Sequence, residues 1–406
     1  MNPRDIPIAD YDYPLPNERI AKYPLAWRDH SKLLVLKHGQ LSEARFFHIS
    51  EILESGTMLV FNNTKVIHAR LFFHKETGAV IEVFCLEPYQ MPVARAFEQR
   101  NHSTWHCFVG NNKRWKEPTL SHKLTIEGKE VTLHATRRQA VGNAWIIDFD
   151  WDGNFSLAEI IQAAGIIPLP PYLHRDAESS DNERYQTVYA QYEGSVAAPT
   201  AGLHFTDEVL RNVRNKGIKT EFTTLHVGAG TFKPVSSNTI GEHEMHVEKV
   251  QITFCNIDHI LSHIQSADRH PLIAVGTTTV RTLESLYWFG VKLQYNPGME
   301  AMHVLQWDPY ELESKATTLQ QSYENIRQWM QRHNQQHIEG DTQLLIAPGY
   351  HYHVIDGIIT NFHQPKSTLL LLVSALIGDQ WKECYRYALD HDFRFLSYGD
   401  SCLFIS

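Results

Sequence analysis

Hydrophobic and polar positions follow two different rhythms along this chain, and each predicts a different layer of structure. Residues 58–61 (Met-Leu-Val-Phe), 272–275 (Leu-Ile-Ala-Val) and 354–359 are short apolar runs closed off by Gly, Pro or Asn, which is the pattern of strands buried on both faces. Residues 218–227 are rich in β-branched side chains and predict a fourth strand. Each run leads into a polar loop carrying threonine, at 62–70, 228–231, 276–279 and 360–368. Helical patterns come next: Thr206 precedes Asp207 and Glu208 in a first turn, Val209, Leu210 and Val213 supply an apolar stripe, and Gly217 ends it. Another helix carries Arg281 and Glu284, and residues 369–377 form an apolar helix that stops at Gly378. Strand, loop and helix in recurring order predict an α/β layer, whose ligands bind at the loop edge.

The second rhythm occupies residues 71–151. Alternating β-branched and aromatic segments at 80–84, 105–109, 123–126, 131–134 and 144–149 are separated by turn signals such as Glu127-Gly128 and Gly142-Asn143. Short strands at this spacing predict a small barrel or sandwich. The fold class is therefore a mixed α/β (α+β) main domain, 1–70 and 152–406, with an inserted all-β barrel-like domain at 71–151. Ser156 and Glu159 form a capping-box signature for a helix ending at Gly165. Residues 291–341, polar and thinly striped, read as a peripheral helical insertion in the main domain.

Composition narrows this picture in three ways. An apolar content of 43% with 20% charged residues is that of an ordinary globular chain. The formal charge of −9 gives no general attraction to nucleic acid, so an RNA partner would need a local basic patch. Five scattered cysteines without a C-x-x-C pair suggest neither a disulfide framework nor a cysteine zinc site, and they fit a reducing, cytoplasmic setting. The N-terminus has no apolar signal core, and the run at 369–377 is about half the length that spans a bilayer, so no membrane partner is expected.

Candidate chemistry concentrates in the loops. His204, His226 and His363 each sit among small or threonine residues, where an imidazole can do acid–base work, although each can equally well orient its loop. His204 lies just before a predicted helix N-terminus, where free N–H groups can hold a carboxylate. Gly228-Ala229-Gly230 is a lone G-x-G and a weak dinucleotide signal. His243, His246 and Glu248 have spacings a metal could use, which keeps a metal-dependent hydrolase open as an alternative. No Gly-x-Ser-x-Gly elbow supports a serine triad. Lys65, Arg70, Arg281 and Lys366 are candidates for phosphate or carboxylate contact.

Several of these stretches resemble one family. Phe-Asn-Asn-Thr-Lys-Val-Ile at 61–67 with Ala-Arg-Leu at 69–71, Tyr-Gln-Thr-Val-Tyr at 185–189, and residues 195–206, 224–235, 274–285, 360–375 and 393–400 are similar to the S-adenosylmethionine:tRNA ribosyltransferase-isomerases of queuosine synthesis. The likeness runs from about residue 11 to 405. It implies transfer and isomerisation of the ribosyl group of S-adenosylmethionine onto 7-aminomethyl-7-deazaguanine at the tRNA wobble position, giving epoxyqueuosine-tRNA, adenine and methionine. S-Adenosylmethionine is then consumed, and no cofactor or metal is implied. On this reading His204, His226 and His363 supply acid–base groups with Asp356 or Glu284 as carboxylate partners. Thr200, Gly202, Gly228, Gly230 and Thr231 accommodate S-adenosylmethionine, while Lys65, Arg70, Arg281 and Lys366 meet tRNA phosphate or the methionine carboxylate. The partners are tRNA and S-adenosylmethionine, and the expected state is a monomer. Gln364 departs from the family, which usually has an apolar residue there, and a paralogue using another acceptor is the alternative this leaves.

Overall fold

The computed structural model describes residues 2–228, 235 and 237–405. Its largest layer is a ten-stranded sheet ordered Met302–Val304, His337–Thr342, Glu248–Thr253, Lys219–His226, Met58–Asn62, Leu272–Val275, Gly357–Asn361, Ser401–Ile405, Lys32–Lys37 and Gln40–Arg45. The four strands from Lys219–His226 to Gly357–Asn361 run parallel, so their C-terminal ends and the loops behind them lie along one edge. Met58–Asn62, Leu272–Val275 and Gly357–Asn361 are buried along their whole length, as a sheet covered on both faces requires.

Local signals fix the covering helices. Thr206 caps the helix Asp207–Asn215 through the backbone N–H of Val209, and Ser367 caps Thr368–Ile377 through that of Leu370. The capping box at Ser156 and Glu159 is formed and opens Leu157–Ala164. The strand expected at 354–359 begins later, at Gly357, because residues 353–355 turn and donate their amides to Glu284. Residues 291–341 are tied into the sheet: Met302–Val304 and His337–Thr342 extend it, and the helix Leu319–Arg332 buries Tyr323, Ile326, Trp329 and Met330. Its thin stripe is aromatic and therefore covers more area than the count of apolar positions suggests.

A second sheet is antiparallel and curled, ordered Gly165–Ile166, Arg70–His74, Val80–Pro88, His102–Gly110, Ala144–Trp151, Lys129–Val141 and Thr119–Ile126. It has its own core, which includes Phe73, Trp105, Trp115, Leu133 and Phe149. Cys85 and Cys107 face each other across this sheet as free thiols, with Sγ atoms 4.0 Å apart. Among the described residues no helix is long and apolar enough to cross a membrane.

Candidate active site

Behind the parallel strands a cleft of about 890 Å³, open mouth included, is walled by Tyr172, Tyr185, Val227 and residues of the segments 197–201, 276–278, 360–369 and 396–397. Asn62 stitches two of the strand ends together: its Oδ1 accepts from the backbone N–H of Thr64 and Leu225, and its Nδ2 donates to the Leu225 carbonyl at 2.9 Å. Gly276 begins the helix Thr277–Tyr295 with φ near +91°, a backbone state that favours glycine, and it leaves the first-turn N–H groups without a side-chain cap. Thr277 and Thr278 of that turn line the cleft, as do Ser367 and Thr368 of a second helix start.

The three histidines separate. His363 lines the cleft; its Nε2 is 2.9 Å from Thr360 Oγ1, and its backbone N–H donates to the Tyr385 hydroxyl. His204 is buried behind the cleft wall, with Nδ1 2.8 Å from Ser31 Oγ, Nε2 3.1 Å from Asn361 Nδ2, and Phe46 packed on the ring. Both of its nitrogens are occupied, so it holds other groups and is not placed to take a proton from a ligand. His226 opens onto a different cleft, between the curled sheet and the edge of the main sheet, with Nδ1 2.9 Å from Thr64 Oγ1. Alternating side chains at a strand end send His226 and Val227 to different clefts.

Burial lowers the His204 and His226 pKa values to about 4 and that of His363 to about 3, so all three are neutral at pH 7. Unfolded imidazoles titrate near 6.5. Between that value and about 4 the unfolded chain binds more protons than the native one. The stability these rings contribute is therefore full above pH 6.5 and falls on acidification, by about 1.4 kcal/mol per pH unit for each ring. Urea unfolding should show a lower midpoint at pH 5 than at pH 7.5; an unchanged or higher midpoint would contradict the neutral, buried assignment.

The expected carboxylate partners lie elsewhere. Glu284 is fully buried and accepts from the Tyr350 hydroxyl and from the amides of His353, Val354 and Ile355, so it closes a turn. Asp356 precedes a parallel strand and so sits at the edge opposite the cleft, bonded to Arg269 and to the Leu272 N–H. The expected cations are also engaged. Lys65 pairs with Glu193 at 2.8 Å, Arg70 with Glu82 at 2.6 Å and Lys366 with Asp12 at 2.8 Å, all partly exposed. Arg281 is buried, 2.5 Å from Glu248, and its Nε donates to the Leu344 carbonyl. The same pair occupies Glu248, which the metal-hydrolase alternative needed. Among the described residues no group of three or more His, Cys, Asp or Glu side chains is arranged to hold a metal ion.

Of the expected ligand loop, Thr200 lines the cleft. Gly202 does not. A Cβ there would stand 1.9 Å from the Tyr189 hydroxyl, so the residue makes room for Tyr189 and not for a ligand. Gly228 is in open space, while Gly230 and Thr231 lie outside the described residues. The Thr206 side chain caps the helix end after His204. The cleft also brings in Tyr172, Tyr185, Thr278, Asn361 and Ser397, which the sequence reading did not single out. Their shared signal was position, since most of them stand within stretches that carry the family resemblance.

Those stretches are scattered through the chain, and folding brings residues of 185–189, 195–206, 224–235, 274–285, 360–375 and 393–400 together on one cleft. Residues 8–404 match the profile of the family described as queuosine biosynthesis protein. The chain belongs to that family. Among solved structures it is similar to S-adenosylmethionine tRNA ribosyltransferase from Thermotoga maritima, at 26% identity over 98% of this chain and all of that one, with a TM-score of 0.46. Within this queuosine biosynthesis family member, Gln364, the position that departs from the usual motif, lines the cleft.

Proposed function

We propose that this chain transfers and isomerises the ribosyl group of S-adenosylmethionine onto 7-aminomethyl-7-deazaguanine in the wobble position of tRNA, releasing adenine and methionine. The observation that carries this reading is the convergence of residues 185, 197–201, 276–278, 360–369 and 396–397, all from family-like stretches, on one cleft at the carboxyl edge of the parallel strands. The chemistry asks for few groups. The sulfonium acidifies the neighbouring C5′–H; a base takes that proton and adenine departs, accepting a proton in turn. The neutral amine of the acceptor then bonds to the ribosyl carbon frame and sheds a proton, and a ribosyl oxygen closes the epoxide as the C–S bond breaks and methionine leaves as a thioether.

We assign the acid–base work to His363, because it alone of the three lines this cleft. Its unprotonated form, which a base requires, is the form present at neutral pH. A carboxylate brought in by the methionine moiety would raise its basicity. Thr200 and the uncapped first turn at Thr277 and Thr278 would hold polar parts of the donor. Lys65, Arg70 and Lys366 can meet RNA phosphate only by exchanging their present carboxylate partners. We read the curled sheet as a barrel-like inserted domain, residues 71–151, that helps grip tRNA.

The test is incubation with S-adenosylmethionine and tRNA carrying the deazaguanine precursor, with mass spectrometry of adenine and the modified nucleoside. Both products are expected in equal amounts. Adenine without the epoxy nucleoside would favour a paralogue with another acceptor, a reading that Gln364 in the cleft wall supports. No adenine with any acceptor would remove the catalytic reading.

A further inference from the structure

Asn361 ends the parallel strand Gly357–Asn361, is 3% exposed and lines the cleft. Its amide nitrogen faces away from the cleft, toward His204 Nε2 at 3.1 Å and the Asp400 carbonyl at 3.4 Å. The Asp400 carbonyl can only accept, which sets the amide with nitrogen on that side. His204 Nε2 must then accept as well, so its proton resides on Nδ1 and is donated to Ser31 Oγ, 2.8 Å away. A neutral imidazole is what this relay needs, and burial keeps it neutral. The remaining amide atom, Asn361 Oδ1, is buried without a hydrogen-bond partner among the described residues. A buried acceptor left unpaired is costly and rare, and here three residues from distant segments hold it in place.

We propose that Asn361 Oδ1 is a specificity contact that accepts a hydrogen bond from an N–H donor of the ligand in the cleft, with His204 and Ser31 as positioning residues. This rests on the reading of that cleft as the S-adenosylmethionine site. The ligand offers two such donors, the purine 6-amino group and the α-ammonium. A site built around a fixed acceptor discriminates against an analogue that lacks the donor, because the buried oxygen then stays unpaired.

Calorimetric titration in the presence of tRNA tests this with three probes: S-adenosylmethionine, an analogue with hydrogen at purine C6, and an analogue without the α-amine. The wild-type protein should bind one of the two analogues about tenfold more weakly beyond any loss common to both, and the identity of that analogue tells which donor is read. Asn361→Leu should bind S-adenosylmethionine about tenfold more weakly and lose that discrimination. His204→Ala should also lose discrimination, with no further loss when combined with Asn361→Leu; a merely structural role would leave selectivity intact. Equal binding of all three probes by the wild-type protein, or discrimination that survives in Asn361→Leu, would overturn the proposal while leaving the S-adenosylmethionine reading in place. Absence of S-adenosylmethionine binding to the wild-type protein would overturn both.

Discussion

His363→Ala is expected to slow adenine release from S-adenosylmethionine by roughly 10²–10⁴-fold, the usual span for loss of a positioned acid–base group. The basis is placement: His363 lines the cleft, whereas His204 is enclosed by Ser31 and Asn361, and His226 opens elsewhere. His363→Gln should be nearly as slow, since an amide fills the space and can bond Thr360 but cannot exchange a proton at neutral pH. Single-turnover measurement of adenine at saturating substrate separates this from weakened binding. Far-UV dichroism would establish that the variants fold. His226→Ala serves as the contrast, with a smaller expected effect on adenine release. A His363→Gln enzyme releasing adenine at near wild-type rate would exclude His363 as the group that moves the proton.

The second large effect concerns stability. Arg281→Met should lower the free energy of unfolding by roughly 3–5 kcal/mol, because it leaves Glu248 buried without its cation. Arg281 and Glu248 are both almost fully buried and 2.5 Å apart, joining the helix Thr277–Tyr295 to the strand Glu248–Thr253. Burial already raises the Glu248 pKa, and Arg281 opposes that rise. Without the guanidinium the carboxyl would favour its protonated form. The double variant Arg281→Met/Glu248→Leu should recover most of the loss, since apolar replacement of a whole buried pair is often neutral or better. Urea unfolding of the two variants measures this directly. If Arg281 instead contacted tRNA, the single variant would unfold like the wild type and bind RNA more weakly.

Much of the fold was legible because its signals are local. The capping residues Ser156 and Thr206 satisfy amides within one turn of themselves, so three residues of sequence suffice to read them. The fully apolar runs at 58–61 and 272–275 read correctly as buried strands for the same reason. Where reading failed, a distant group had intervened. The run at 354–359 looked like a strand from its start, but Glu284, seventy residues earlier, draws the first amides into a turn. The helix at 319–332 looked peripheral until Trp329 and Tyr323 were buried against the long helix Thr277–Tyr295.

The site divides along the same line. By itself the sequence pointed to polar loops at strand ends before helices, and its extended stretches determined the family. It could not tell which of three similar histidines lines the cleft, because strand alternation and the packing of remote segments decide where each ring goes. Tertiary structure alone enclosed His204 between Ser31 and Asn361, turned His226 to a second cleft and left His363 at the first. It also gave every expected cation a carboxylate partner, since a charge near the interior is paired by whatever the fold brings close. Residue type and spacing carry chemistry along the chain; which group is free to use it is fixed by neighbours tens or hundreds of residues away.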